Sequence, residues 1–314
     1  MTIAFVFNGQ GAQYQGMGKE LYDDYLEIRA TFEEASKTLG FNLEQICFEE
    51  NNCLNETRYT QPAILTVSVA ISRLLINKFG IKPAYVAGLS LGEYSALVVS
   101  GRLSFSDALK IVQQRGKFMT EAVPNNQGSM MAVMGLSSDR IASICQLVSS
   151  KGLVAPANYN MPNQTVISGE LEALAFAKTL LKEAGAKAVI PLNVSGPFHT
   201  PLLEPAAKQL EQELTHYQFA KSDIPLISNV TGEVITAENC QSLLVQQVKS
   251  PVLWQKSVET LSNEGVSVFI EIGPGTALSH FIKKITKGKT IYNVEKTTHL
   301  TELVELKNKG DLIC

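Results

Sequence analysis

The sequence predicts an α/β protein with a large parallel-sheet domain that is interrupted by a small βαββαβ lobe. Its 314 residues exceed the length of one typical domain, which favours two domains or one domain with an insertion. Short apolar runs alternate with helical segments along most of the chain, as in parallel sheets. Residues 129–192 instead contain four strand-like and two helical segments, the ferredoxin-like order.

The first half of the large domain alternates strands and helices. Residues 3–7 form a short apolar run typical of a buried strand. Thr60 is a favourable N-cap residue, and the apolar helical pattern after it leads to Gly80, a residue type that often follows a helix end. Residues 85–87 predict a second strand, and a helix is expected over residues 91–101.

A helix is also expected from Ser104, which forms a carboxylate variant of the capping box with Asp107, to about Ala122. The small lobe follows, with predicted strands at 130–133, 153–158, 164–168 and 188–192 and predicted helices at 137–148 and 171–184. Strands at 225–228 and 266–272, separated by helical segments, return to the large domain. We therefore assign residues 1–124 and 196–314 to the large domain and 125–195 to the ferredoxin-like subdomain.

The composition excludes several classes of protein. With 45% hydrophobic and 18% charged residues, the chain has an ordinary globular composition. A net charge of -3 argues against nucleic acid as the main partner. No apolar run approaches the roughly 20 residues of a membrane span, and no charged signal-peptide start is present, so we expect a cytoplasmic protein without a membrane partner. Neither a disulfide framework nor a metal site is indicated by the scattered cysteines, which are Cys47, Cys53, Cys145, Cys240 and Cys314.

The sharpest motif is the G-x-S-x-G sequence from Gly88 to Gly92, which lies between a predicted strand and a predicted helix. This is the context of a nucleophile elbow, in which a strained turn exposes the Ser90 hydroxyl and flanking glycines leave room for it. The Leu91 N–H, at the helix start, is placed to bind a developing oxyanion. An inert loop serine is the alternative, because such glycine patterns also arise by chance.

A serine nucleophile needs a base, and His199 is the strongest candidate among the four histidines. It lies in a segment where Gly196, Pro197 and Pro201 exclude regular structure, at the point where the small lobe rejoins the large domain. Junctions between lobes are common places for sites. A surface histidine is an equally good interpretation of spacing alone, because the order of serine before histidine permits a dyad without demonstrating it.

Arg115 is the most informative charged residue. A helix over residues 104–122 places it on the same stripe as Ile111, Val112 and Met119, with polar residues opposite. A buried guanidinium is costly without a partner, so Arg115 should face a carboxylate. Either a structural ion pair with an Asp or Glu or a bound substrate anion would satisfy this requirement.

With these residues in place, the sequence resembles the malonyl-CoA:acyl carrier protein transacylases, acyltransferases that load fatty-acid and polyketide synthases, over nearly its whole length. Several unrelated motifs in the right order make this resemblance more specific than G-x-S-x-G alone. These motifs are Phe7-Asn8-Gly9-Gln10-Gly11-Ala12-Gln13, Thr60-Gln61-Pro62-Ala63, Gly88-Leu89-Ser90-Leu91-Gly92-Glu93-Tyr94-Ser95, Arg115-Gly116, Gly196-Pro197-Phe198-His199, Pro251-Val252-Leu253-Trp254 and Glu271-Ile272-Gly273-Pro274-Gly275.

The resemblance implies an α/β-hydrolase-like large domain and a role for each matching residue. It assigns Ser90 as the nucleophile and His199 as its general base. The backbone N–H groups of Gln10 and Leu91 correspond to the oxyanion hole. The backbone carbonyl of Gln247 corresponds to the group that orients the histidine, in place of a carboxylate.

Further residues correspond to the substrate pocket. Arg115 matches the arginine that holds the free malonyl carboxylate, and Phe198 resembles the malonyl-selective form, in which a bulky ring disfavours a branched α-carbon. Gln61 and Asn160 are expected near the pocket. The sequence departs from the family at Asn8, where proline is frequent, and at Leu89, where histidine is frequent. We expect these departures to change local packing or water structure without abolishing activity.

The resemblance therefore implies an [acyl-carrier-protein] S-malonyltransferase that works by ping-pong acyl transfer through Ser90. Malonyl-CoA and an acyl carrier protein are the expected partners of a monomeric enzyme, and no metal or bound cofactor is expected. Two alternatives remain: a serine hydrolase that removes acyl groups from carrier proteins, and a non-catalytic subunit that docks them. Arg115 argues against the hydrolase, and the intact set of Ser90, His199 and Arg115 argues against the docking subunit.

Overall fold

The computed structural model describes residues 1–124, 127–194 and 196–312. Its strands form two separate sheets. In chain order the strands are β1 (Ile3–Phe7), β2 (Tyr85–Gly88), β3 (Gly128–Met134), β4 (Val154–Met161), β5 (Gln164–Glu170), β6 (Ala188–Pro191), β7 (Leu226–Ile227), β8 (Val268–Ile272) and β9 (Thr290–Val294).

Helices cover both faces of the larger sheet and one face of the smaller sheet. They are α1 (Lys19–Asp24), α2 (Leu26–Leu39), α3 (Leu43–Phe48), α4 (Thr57–Arg73), α5 (Gly92–Val99), α6 (Phe105–Glu121), α7 (Ser138–Leu147), α8 (Leu171–Glu183), α9 (Glu204–Leu214), α10 (Cys240–Lys249), α11 (Trp254–Asn263), α12 (Ala277–Ile285) and α13 (Thr297–Asn308). Short 3-10 turns lie at Cys53–Asn55, Ser149–Lys151 and Pro201–Leu203, and a π-helical turn at Leu74–Lys78 continues α4.

The larger sheet has five parallel strands in the order β7-β2-β1-β8-β9. Every residue of β1 is buried, because helices cover both faces of the sheet. Ile3, Phe5 and Phe7 pack into the core that includes α4 and α6, whereas Ala4 and Val6 pack against the apolar residues of α11 and α12. The apolar run of the sequence is therefore a central strand, and the predicted α/β class is confirmed.

The smaller sheet is antiparallel, with the order β4-β5-β3-β6. Helices α7 and α8 contribute to the core of this lobe, which completes the predicted βαββαβ arrangement. The lobe is joined to the large domain by main-chain hydrogen bonds. Tyr159 N donates to Val252 O over 2.9 Å, and Val252 N donates to Ala157 O over 2.8 Å. Strand β4 is thus tied to the segment that follows α10.

The predicted start of α4 is wrong by four residues. The helix begins at Thr57 with Glu56 at its N-cap, and Thr60 lies inside the first turns. The Thr60 hydroxyl instead donates to Leu54 O at 2.6 Å, so its hydrogen-bonding capacity serves the preceding turn. The expected helix end is present, because Gly80 follows the helical segment with a φ of 62°.

The predicted domain boundaries remain a prediction, because positions 125, 195 and 313–314, with Cys314, lie outside the described residues. The helical segment Thr57–Lys78 is long and apolar enough to span a membrane, but 83% of its most apolar window is buried inside the protein. It is therefore the central helix of the large core. Within the described part of the chain, no group of His, Cys, Asp and Glu side chains is arranged to hold a metal ion.

Candidate active site

Ser90 lies at a strained turn between β2 and α5. Its φ is 55°, a left-handed value that is costly for a residue with a side chain. At the flanking glycines there is no room for a side chain. A Cβ on Gly88 would lie 1.9 Å from the backbone of Gly92, and a Cβ on Gly92 would lie 2.1 Å from Phe7 O. The turn thus has the geometry of a nucleophile elbow.

Asn229, two residues after β7, holds this turn in place. Its Oδ1 accepts a hydrogen bond from Ser90 N at 2.6 Å, and its Nδ2 donates to Gly88 O at 2.6 Å. The side chain is fully buried, so loss of either hydrogen bond would leave a buried polar group unpaired, which lowers the stability of the fold. No catalytic motif of the sequence includes Asn229. A polar side chain at the carboxyl end of a predicted parallel strand was the available signal.

His199 lies beside the serine and is also strained, with a φ of 62°. Its Nε2 is 2.8 Å from Ser90 Oγ, and its Nδ1 is 2.7 Å from Gln247 O. A carbonyl oxygen can only accept, so Nδ1 carries the proton and Nε2 is free to accept the serine proton. Burial, reinforced by the charge of Arg115, lowers the pKa of His199 to about 4, which keeps the imidazole neutral at pH 7.

The Arg115 side chain extends from α6 to the Ser90 hydroxyl, and the residue is 1% exposed. Its Nη1 donates to Gln61 Oε1 at 2.9 Å, and its Nη2 donates to Gln247 Oε1 at 2.9 Å and to Ser90 Oγ at 3.1 Å. Burial lowers the pKa of Arg115, yet a guanidinium stays charged in proteins. Among the described residues, no carboxylate lies within ion-pair distance of it.

Two backbone N–H groups correspond to the expected oxyanion hole. Leu91 is the N-cap of α5, and Gln10 follows β1 in the glycine-rich turn. Within the described parts of the chain, neither N–H has a hydrogen-bond acceptor, whereas Ser90 N is already used by Asn229. Gln10 is held from its side chain, whose Nε2 donates to Thr57 Oγ1 at 3.1 Å. Both donors are therefore available for an oxyanion.

A cavity of about 780 Å³ between the two sheets is lined by Gln10, Ser90, Arg115 and His199. Asn160 and Val166 line it from the small lobe, and Phe198 lies beside the histidine. The Asn160 Oδ1 atom is buried without a partner in the described structure, whereas its Nδ2 donates to Gln164 Oε1 at 3.3 Å. Arg115 is the one permanent charge in the described lining, which contains no Asp or Glu. A ligand with a carboxylate is thus favoured over a cationic one.

The two departures from the family pattern lie at the cavity wall. Asn8 Nδ2 donates to Glu271 Oε1 at 2.5 Å and to Pro274 O at 2.9 Å, and Leu89 is a lining residue. The Glu271 carboxylate also accepts from the backbone N–H groups of Leu278 and Ser279 at the start of α12. Asn8 therefore links the end of β1 to α12 through Glu271, and it adds no charge to the cavity.

Known proteins that are similar to this chain identify its family. The acyl transferase domain family matches residues 4–304. The malonyl CoA-acyl carrier protein transacylase of Bacillus subtilis is 44% identical, with 98% of each chain covered, and that of Escherichia coli K12 is 42% identical over 97% of this chain and 99% of the relative. A crystal structure of the transacylase of this name from Clostridium perfringens is 45% identical and has a TM-score of 0.95, covering 99% of this chain and 98% of that one. A fourth match is the structure of a malonyl-transacylase in complex with a type II PKS acyl-carrier protein. It is 40% identical, has a TM-score of 0.95, and covers 97% of this chain and 99% of that chain. The chain therefore belongs to the acyl transferase domain family, among the malonyl CoA-acyl carrier protein transacylases.

Proposed function

We propose that this protein transfers a malonyl group from malonyl-CoA, through an ester on Ser90, to the phosphopantetheine thiol of an acyl carrier protein. One observation carries the proposal beyond the family assignment. The buried Arg115 guanidinium lies beside the Ser90 hydroxyl and has only neutral partners. A buried cation without a carboxylate in contact is expensive, and the malonyl carboxylate would supply that contact at bonding distance from the nucleophile.

The acylation step follows from the positions of four groups. His199 Nε2 takes the proton of Ser90 Oγ as that oxygen attacks the thioester carbonyl. The N–H groups of Gln10 and Leu91 bind the oxyanion of the tetrahedral intermediate. The carbon–sulfur bond then breaks, and His199 returns its proton to the departing CoA sulfur. Malonyl-enzyme and free CoA are the products of this half-reaction.

The second half-reaction reverses the roles with a different thiol. The phosphopantetheine thiol of the carrier protein gives its proton to His199 and attacks the malonyl ester. Collapse of the second tetrahedral intermediate breaks the ester bond, and the proton returns to Ser90 Oγ. Arg115 holds the acyl group between the two steps, and positioning by this salt link favours the thiol over water. The Phe198 ring, beside the histidine, disfavours a branch at the α-carbon.

The chemistry assigned to these side chains requires no metal or bound cofactor. We further propose that the enzyme acts as a monomer in the cytoplasm, with nucleic acid and membranes playing no part. The net charge of -3 and the lack of a basic run support the exclusion of nucleic acid. Whether its carrier protein serves fatty-acid or polyketide synthesis is a matter for transfer assays with purified carriers of both kinds.

The decisive experiment measures the intact mass after incubation with malonyl-CoA. We expect a malonyl adduct on the wild type, no adduct on Ser90→Ala, and strongly slowed adduct formation on His199→Ala. Addition of carrier protein should move the adduct to the carrier. An adduct that persists in Ser90→Ala would contradict the assignment, and hydrolysis faster than transfer would favour a hydrolase.

A further inference from the structure

One buried carboxyl group has no part in the chemistry described above. Glu93 lies in the first turn of α5, three residues after Ser90, and is 1% exposed. It forms no ion pair within the described structure, and its Oε1 atom is buried without a partner. Its Oε2 atom accepts a hydrogen bond from Gln247 Nε2 at 2.5 Å. A group so costly to bury requires an explanation.

Gln247 forms hydrogen bonds with three residues of the proposed site. Its backbone carbonyl accepts from His199 Nδ1 at 2.7 Å, and its side-chain Oε1 accepts from Arg115 Nη2 at 2.9 Å. Its Nε2 donates to Ser90 O at 2.9 Å as well as to Glu93. The orientation of this amide therefore influences the arginine and the elbow together.

The partners of the amide allow one orientation. A rotation by 180° would turn the NH₂ group towards the Arg115 guanidinium, which can only donate, and the oxygen towards Ser90 O, which can only accept. Glu93 supplies the second acceptor on the NH₂ side, so both amide hydrogens are used. Without that acceptor one hydrogen would be buried and unpaired, and the amide would be free to tilt away from Arg115.

We propose that Glu93 is a positioning residue that locks the Gln247 amide and thereby aims the Arg115 guanidinium at the acyl pocket beside Ser90. The role rests on the proposed function, because it matters most for a substrate with a carboxylate. Burial also raises the pKa of Glu93 to about 8, against the lowering effect of the hydrogen bond from Gln247. A carboxyl group that is protonated at neutral pH can still accept this hydrogen bond.

The test compares Glu93→Met, which keeps the volume and removes the acceptor, with Glu93→Gln, which keeps an acceptor oxygen. Ser95→Ala is the matched control, since Ser95 lies buried on the same helix with an unpartnered hydroxyl. The readout is the ratio of kcat/KM for malonyl-CoA to kcat/KM for acetyl-CoA in acyl transfer. We expect Glu93→Met to lower this ratio about 10- to 100-fold, Glu93→Gln to stay within about threefold of the wild type, and Ser95→Ala to match it.

Crystal structures of the two Glu93 variants provide a readout that does not depend on activity. The Gln247 amide and the Arg115 guanidinium should keep their positions in Glu93→Gln and shift in Glu93→Met. Unmoved side chains in Glu93→Met would overturn the positioning role, as would an equal loss of both transfer activities. Failure of the wild type to acylate would refute the proposed function instead, while the structures would still decide the role of Glu93.

Discussion

At the residue scale, His199, the proposed general base, is oriented without an acidic partner. The main-chain oxygen of Gln247 fixes the ring orientation, as a carboxylate does in the common triad, but brings no full negative charge. The pKa of the imidazole is therefore not raised by an anion. Burial and the nearby Arg115 lower it to about 4 instead.

This depressed pKa predicts the acid limb of the acylation rate. The base must be neutral, so the rate should be constant above about pH 6 and fall as the pH decreases through the pKa near 4. Single-turnover acylation by acetyl-CoA checks this, because acetyl-CoA avoids titration of the malonyl carboxylate, with circular dichroism to verify folding at each pH. An acid limb centred near the ordinary histidine value of about 6.5 would contradict the prediction.

The Arg115 guanidinium predicts a change of substrate preference. Arg115→Ala should lower kcat/KM for malonyl-CoA, because a buried charge pair loses one partner. The expected loss of transition-state stabilisation is about 2–5 kcal/mol. Acetyl-CoA makes no such pair, so its transfer should be affected far less. Steady-state kinetics with both thioesters measure the difference, and unchanged malonyl kinetics would refute the carboxylate role.

At the element scale, the elbow depends on three parts of the chain that meet at one turn. Strand β2 and helix α5 form it, and the residue that holds it comes from the segment after β7. The close approach of α5 to β1 at Gly92 leaves no space for adjustment. The strain at Ser90 is therefore held by the surrounding structure and not by the turn itself.

The Asn229 side chain provides a test of this arrangement. Asn229→Ala would leave Ser90 N and Gly88 O without their partner, and we expect a loss of about 1–3 kcal/mol of unfolding free energy for each buried orphan group. Chemical denaturation measures the loss, and acylation should slow as well. Asn239→Ala is the control, because its side chain accepts one exposed hydrogen bond, from Thr236 N. Equal stability of the two variants would show that Asn229 does not hold the turn.

Elements with a local signature were predictable from the sequence. The Ser104 cap, the amphipathic stripe of α6 and the βαββαβ order each depend on residues close together in the chain, and the structure has all three. The start of α4 was not predicted correctly. The Thr60 hydroxyl does not cap this helix, because it donates a hydrogen bond to Leu54 O in the preceding turn. The edge strand β9 was also not predicted.

The polar network around the site shows a different limit of sequence reasoning. Motifs single out Ser90 and His199, but a main-chain acceptor such as Gln247 O has no side-chain signature and entered the prediction only through a family resemblance. Glu93 gives no signal either, because α5 is buried all around and lacks a polar face. Which polar group meets which is decided by tertiary packing.

At the scale of the whole molecule, the cavity lies between the two sheets. The small lobe has its own core with α7 and α8, but Met130, Ala157 and Val166 of its sheet pack into the core of the large domain. The main-chain bonds between β4 and Val252 tie the small lobe to the segment just after α10, the helix that carries Gln247. Main-chain hydrogen bonds thus connect the small lobe to the region of Gln247, the residue that orients the His199 ring. A ligand bound in this cavity contacts both lobes and should stabilise the folded chain as one unit.

Ligand-dependent melting tests this coupling. In a Ser90→Ala background, which prevents turnover, malonyl-CoA at about 100 times its Kd should stabilise the protein by about 2.7 kcal/mol and raise Tm by several degrees. Acetyl-CoA at the same concentration should raise Tm less, because it leaves Arg115 without a counter-ion. In the Ser90→Ala, Arg115→Ala double variant the advantage of malonyl-CoA should disappear. If that advantage persisted, the carboxylate would have to bind elsewhere, and the shared pocket would not be the origin of the stabilisation.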